Sequence, residues 1–277
     1  MNGYANERIG ALVGLLQSRF FLILSLAVTT ECIFSVYGYS TSLISLAFAV
    51  FPVLAAVGVW TLRKSAFSGA FKGYSFTFLK LKSVVQAVGY IFFIFAIVIA
   101  AILTKRLISD VNTILASIAD GSYDQTVKTL EAGEIYAVIV DRIGIDRIRS
   151  FDLAGLTKTV SDYGLVIVYT AEAVAAAFFA LLTVCALKVS GIVTKLRNTI
   201  MFGYDEKINT SFVCAALYIF AGMNIIVLLT RLVTAIGGGA AESFGASDVI
   251  TVLSDIVGAA TMILSALFFG KVRQIMD

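Results

Sequence analysis

The chain alternates between long apolar blocks and shorter polar intervals. Six blocks reach the roughly 17–25 residues that a helix needs to cross the hydrocarbon core of a bilayer. They cover residues 20–39, 41–62, 83–104, 163–187, 209–234 and 249–270. Apolar side chains run continuously through them instead of alternating over about ten residues, so the pattern predicts spanning helices and not barrel strands. The first two blocks are broken only at Gly38-Tyr39-Ser40, which reads as a tight helical hairpin. The expected fold class is all-α, a polytopic bundle of six transmembrane helices.

The polar intervals carry their own periodicity. Ahead of the first span, Ile9, Leu12, Val13 and Leu16 share one helical face, while Asn6, Glu7, Arg8 and Gln17 lie elsewhere. This predicts a short helix lying in the membrane interface. In the long interval 105–162, Leu107, Ile108, Val111, Ile114, Leu115 and Ile118 keep a helical period, so the third span should continue as an amphipathic helix until Asp120-Gly121. Ser122 and Gln125 have the spacing of a capping box for a second helix ending at Gly133. The run 135–140 suits helix and strand equally, and Asp152 is placed to cap a helix leading into the fourth span. The organisation expected is a cytoplasmic interfacial helix (1–19), three spans (20–104), a small helical extracytoplasmic cap (105–162), three more spans (163–270) and a cytoplasmic tail (271–277).

Charge sets the orientation. Arg8 and Arg19 precede the first span; Arg63, Lys64, Lys72, Lys80 and Lys82 lie between the second and third; Lys188, Lys195, Arg197 and Lys207 lie between the fourth and fifth; Lys271 and Arg273 are in the tail. With six spans all of these fall on one face, which the positive-inside rule makes cytoplasmic. The interval 105–162 holds seven basic and nine acidic residues and falls on the other face. The expected location is the plasma (inner) membrane of a bacterial-type cell, with both termini cytoplasmic.

Within that interval, Ile118-Ala119-Asp120-Gly121-Ser122-Tyr123-Asp124 followed by Gly133-Glu134-Ile135 resembles the connector and second-helix start of a HAMP linker. The resemblance implies a cytoplasmic unit after the last span. The charge rule places this stretch on the opposite face, and no signalling role is carried over.

Composition agrees with lipid as the solvent. Hydrophobic residues make up 59% of the 277 and charged ones 14%, against roughly 25% charged in soluble domains. The chain has no histidine, which excludes imidazole ligation of haem or zinc and histidine-based catalytic pairs. Cys32, Cys185 and Cys214 each sit in an apolar block and read as small hydrophobes. No Walker motif, nucleophile elbow or metal cluster is present, so neither an enzyme nor a cofactor is expected. The net charge of +3 comes from the basic loops and not from a nucleic-acid surface. The partners expected are the lipid bilayer and, beyond it, further copies or other membrane subunits.

Ionisable residues inside spans cost a few kcal/mol each unless partnered, and so point to function. Glu31 lies in the first span, Glu172 in the fourth, Arg231 near the outer end of the fifth and Asp255 in the outer third of the sixth. Thr29-Thr30-Glu31 and Thr170-Ala171-Glu172 match on spans of opposite direction, as an inverted three-plus-three repeat would give. The functional reading is a polar cavity lined by Glu31, Glu172 and Asp255, with Arg231 at its mouth, in a transporter or channel subunit for an ion or small solute. The bland reading is hydrogen-bonded helix contacts among small residues such as Ala171 and Ala173, with Arg231 snorkelling to the headgroups. A second class of function is a non-transporting scaffold or assembly subunit, its basic and aromatic cytoplasmic loops docking a partner such as an ATPase.

Overall fold

The computed structural model describes residues 2–39, 50–204, 206–237 and 246–277. Among the described residues there are ten helices and no strand. They are α1 (Asn2–Gln17), α2 (Arg19–Tyr39), α3 (Val50–Ser68), α4 (Tyr74–Asp120), α5 (Tyr123–Thr129), α6 (Gly133–Ile143), α7 (Ile145–Arg149), α8 (Leu153–Phe202), α9 (Ser211–Gly237) and α10 (Ala246–Met276). Six of them, α2, α3, α4, α8, α9 and α10, are long and apolar enough to cross a membrane. The protein is thus an all-α bundle of six membrane-length helices. α2 runs through Gly38 and Tyr39, where the sequence suggests a break; Ser40, the first half of the second span and most of the Gly237-Gly238-Gly239 turn lie outside the described residues.

α3, α4, α8, α9 and α10 all run past their apolar blocks. α3 continues through Arg63 and Lys64 to Ser68, because both are good helix formers with apolar stems; Arg63 lies over the Phe67 ring at 4.7 Å. α4 begins at Tyr74, well before the block at 83, and runs unbroken to Asp120. Its 47 residues span roughly 70 Å, far more than a hydrocarbon core of about 30 Å. It stops where Gly121 turns to φ 82°, a conformation that glycine adopts without strain.

The helices sort into two compact units. The first contains Met1–Gly89 and Leu182–Asp277. In it α9 and α10 form an antiparallel pair: Thr210 donates to the Phe269 carbonyl (2.9 Å), Asn224 to the Met262 sulfur (3.9 Å) and Arg231 to Asp255 (2.8 Å). α2 packs against α3 and α10, with Phe21 against Phe268 at 5.3 Å and Trp60 donating to Thr29 at 2.8 Å. α1 buries Leu12 and Leu16 among α2, α3 and α10. Arg8 donates to the Asp277 carbonyl at 3.5 Å, so both termini lie at one end, as an even number of crossings requires.

The second unit, Tyr90–Leu181, contains the polar interval. Phe93 stacks on Phe179 at 5.0 Å, and above them Ile114, Ile118, Tyr123, Tyr136 and Val140 form a small core. Tyr136 also donates to Asp110 at 3.2 Å; burial, then Asp110, pushes its phenol above the usual range. Asp152 caps α8 as its position suggests, accepting from the Gly155 amide at 3.0 Å. The run 135–140 is helical, within α6. The capping box at Ser122 does not form. Its hydroxyl donates to Asp120 at 2.6 Å instead, and the helix it opens ends at Thr129, not at Gly133. The carboxylate of Asp120, two residues upstream, is the nearer and stronger acceptor, and the two hydrogen bonds from Ser122 hold Asp120 below the usual carboxylate range.

Two predictions follow from this arrangement. A cysteine at exposed Ala70 should resist an impermeant thiol reagent in intact cells while one at exposed Asp124 is labelled; the reverse pattern inverts the orientation. Gly133 leaves no room for a Cβ, which would collide with the Val127 carbonyl. Gly133→Ala should therefore cost about 1–3 kcal/mol and loosen α5 against α6, read as faster hydrogen exchange over 123–143 with the rest unchanged.

Candidate functional site

The candidate site centres on Glu31 of α2, a helix that packs against α3 and α10. The carboxylate stands on α2 one turn beyond Val28, whose side chain is buried. α3 packs beside α2, and at Gly58 it has no side chain. A Cβ there would lie 2.6 Å from the Leu79 side chain and 3.2 Å from its backbone nitrogen, so glycine lets α4 approach closely. Lys82 is three residues on from Leu79 in α4. Its charge acts on Glu31 and on Cys185 of α8. α10 contributes Thr261, whose hydroxyl donates to the Val257 carbonyl at 2.9 Å and lies near enough to Glu31 to act on its carboxyl.

Ser83 and Ala87 on α4, Ala186 on α8 and Ala259 on α10 are small and buried.

The other candidates are distributed elsewhere. Arg231 and Asp255 pair with each other at 2.8 Å across α9 and α10, so each charge is neutralised by its neighbour. Glu172 belongs to the second unit, where Thr104 donates to Oε1 at 2.7 Å while Oε2 is buried with no protein partner. The four residues are thus held in three sets, with Glu31 and Glu172 in different units, each bonded within its own. Among the described residues, no cluster of three or more Cys, Asp or Glu has the arrangement of a metal site, and the three cysteines are free thiols. Comparison of the chain with protein-family models, curated proteins and solved structures finds no match.

Lys82 is the residue that sequence reasoning missed. It was assigned to the loop that sets orientation, because a lysine at the edge of an apolar block has the same signature in a loop or in a helix. The available signal was the Lys82, Ser83, Gln86 and Ala87 set, a polar and small face running from the loop into the span. Breaking a buried pair leaves a charge without compensation, whereas removing both partners does not. Glu31→Gln and Lys82→Gln should each lower stability by about 2–3 kcal/mol, and the double substitution by much less than their sum. Additive losses in a thermal-unfolding cycle would mean that the two charges are not coupled.

Proposed function

We propose that the protein is a membrane transport subunit, moving an ion or small solute in the plasma membrane through a site organised by Glu31. The observation that carries this reading is the meeting of Glu31, Lys82 and Thr261 within membrane-length helices. A dry structural contact has no need of opposite charges, since well-packed apolar side chains of similar size serve stability as well or better. A proton- or solute-handling site needs an ionisable group within the spans, and Glu31, with the Lys82 charge acting on it, supplies one. Glu172 with Thr104 is read as a helix contact of the second unit.

A second reading, an assembly or scaffold subunit, is favoured by a different observation. None of the most apolar window of α8 is buried inside the protein, and little of that of α4 is. Phe92, Phe95, Ile99, Ile102, Val166 and Val174 point away from the chain. Lipid covers such faces, and so would the helices of another subunit.

The native thiols separate the two readings. Cys32 neighbours Glu31 in sequence, and Cys185 lies within reach of the Lys82 charge. A small charged methanethiosulfonate reacts only with hydrated thiols. In nanodiscs, mass spectrometry should find Cys32 or Cys185 modified within minutes, well ahead of Cys214, which donates to the Ala266 carbonyl at 3.4 Å. If all three stay unmodified until the protein is unfolded, the contact is dry and the scaffold reading prevails.

A further inference from the structure

We infer that the cleft between α4 and α8 in the polar interval binds a small free zwitterion, Lys158 holding its anionic group and Asp162 its cationic group. This goes beyond the transport reading and does not rest on Glu31.

The cleft belongs to the second unit and has a volume of about 500 Å³, within the range of small-molecule pockets. α4 contributes Ala119 to one wall. The other wall is the start of α8, where Leu153 and Ala154 are followed by Thr157, Lys158, Ser161 and Asp162. From Ala154 on, these positions recur at helical spacing, so they form one continuous face. Two residues past Asp162, Gly164 lies against Ile108 of α4. At Ala119 and Ala154 the side chains are single methyl groups, which leaves the space open between the helices.

The polar groups of this face are uncommitted. Among the described residues, Thr157, Lys158, Ser161 and Asp162 have no hydrogen-bond or ion-pair partner. Their neighbours off the cleft are engaged. Thr159 donates to the Gly155 carbonyl at 2.8 Å, Asp152 accepts from the Gly155 amide, Asp120 accepts from Ser122, and Arg106 pairs with Glu131. Helix stability does not account for the two free charges. An acid four residues ahead of a lysine supports a helix, and the order here, with Lys158 ahead of Asp162, is the weaker one. Both also lie beyond the first turn of α8, where the helix dipole acts.

The pair of charges selects the ligand. A simple anion at Lys158 meets the Asp162 carboxylate one turn away, and a simple cation at Asp162 meets the Lys158 ammonium. A molecule that carries both signs satisfies both groups and leaves the cleft neutral. The two residues are offset by about 6 Å along the helix. A zwitterion with its charges a bond or two apart fits between their heads with a hydrogen bond to each. The hydroxyls of Thr157 and Ser161 lie beside the charges as further donors. Leu153, Ala154 and Ala119 offer an apolar end to whatever the zwitterion carries. A free α-amino acid has this chemistry, and the headgroup of an ethanolamine phospholipid shares its charges.

The test is saturation-transfer NMR on the full chain in phosphatidylglycerol nanodiscs, with glycine, alanine, leucine, glutamate and lysine as free probes. At least one should bind with a dissociation constant of about 0.1–10 mM, the range that two solvent-exposed charge contacts support. The N-acetyl derivative and the methyl ester of that probe each lack one charge and should bind about tenfold more weakly or worse. Lys158→Ala and Asp162→Ala should each weaken binding by about tenfold or more, and because both side chains are exposed the fold is kept. Thr159→Val, off this face of the same helix, should bind as the native protein does. In phosphatidylethanolamine nanodiscs the free probe should bind as before. No binding of any probe, equal binding of the acetylated or esterified form, or binding that survives either loss of charge overturns the inference. So does a loss in Thr159→Val, which places the effect outside the cleft. Exclusion of the probe by phosphatidylethanolamine also overturns it, because the cleft then holds a lipid headgroup and not a free solute. The comparison of derivatives uses the native protein alone and decides whatever the variants do.

Discussion

Water is missing from the bilayer core, and every polar group placed there must find its partner within the protein. The chain meets this demand locally wherever it can. Ser25, Thr61, Ser83, Thr170 and Thr194 each donate to the carbonyl one turn back on their own helix. Such hydroxyls cost little and commit the helix to no neighbour. The bonds that join helices are fewer and specific: Gln17 to the Ala66 carbonyl, Trp60 to Thr29, Thr210 to the Phe269 carbonyl, Cys214 to the Ala266 carbonyl. They tie α1 and α2 to α3, and α9 to α10. A charged side chain satisfies the same demand only through another charge, a hydrogen-bonding partner or water, which is why the ionisable residues of the spans organise their surroundings.

The same constraint explains why the two units are built differently. In lipid, apolar burial gives helices no reason to associate, since acyl chains are as apolar as leucine. The membrane-length parts of α4 and α8 accordingly leave Phe92, Phe95, Ile99, Val166 and Val174 outward. Beyond them, in the polar interval, the hydrophobic effect operates, and Ile114, Ile118, Tyr123, Tyr136 and Val140 are drawn together under α5 and α6. Burial of an aliphatic side chain there is worth about 1.5–3 kcal/mol. The charges of this segment sit outside the core, as Arg106 with Glu131 and Asp120 with Ser122 do.

What could be read from the sequence follows from these two regimes. Membrane-length helices were legible because length and apolarity are one-dimensional properties, and the continuous helix from the third span to Asp120 was legible because its period never breaks. Asp152 was legible as a cap because no competing acceptor lies beside it. Ser122 was misread because Asp120, two residues away, is such a competitor. The pairing of candidate residues was not legible at all. Arg231 and Asp255 meet across two helices, and α3 meets α4 closely only because Gly58 leaves room for Leu79, relations between segments that no periodicity encodes.

Lys82 also bears on the orientation that the basic residues imply. Once it belongs to the bundle and not to the loop, it no longer counts toward the positive-inside rule. Arg63, Lys64, Lys72 and Lys80 remain, with no acid among them, and the interval 105–162 keeps its acidic excess. The inference therefore survives the loss of one charge.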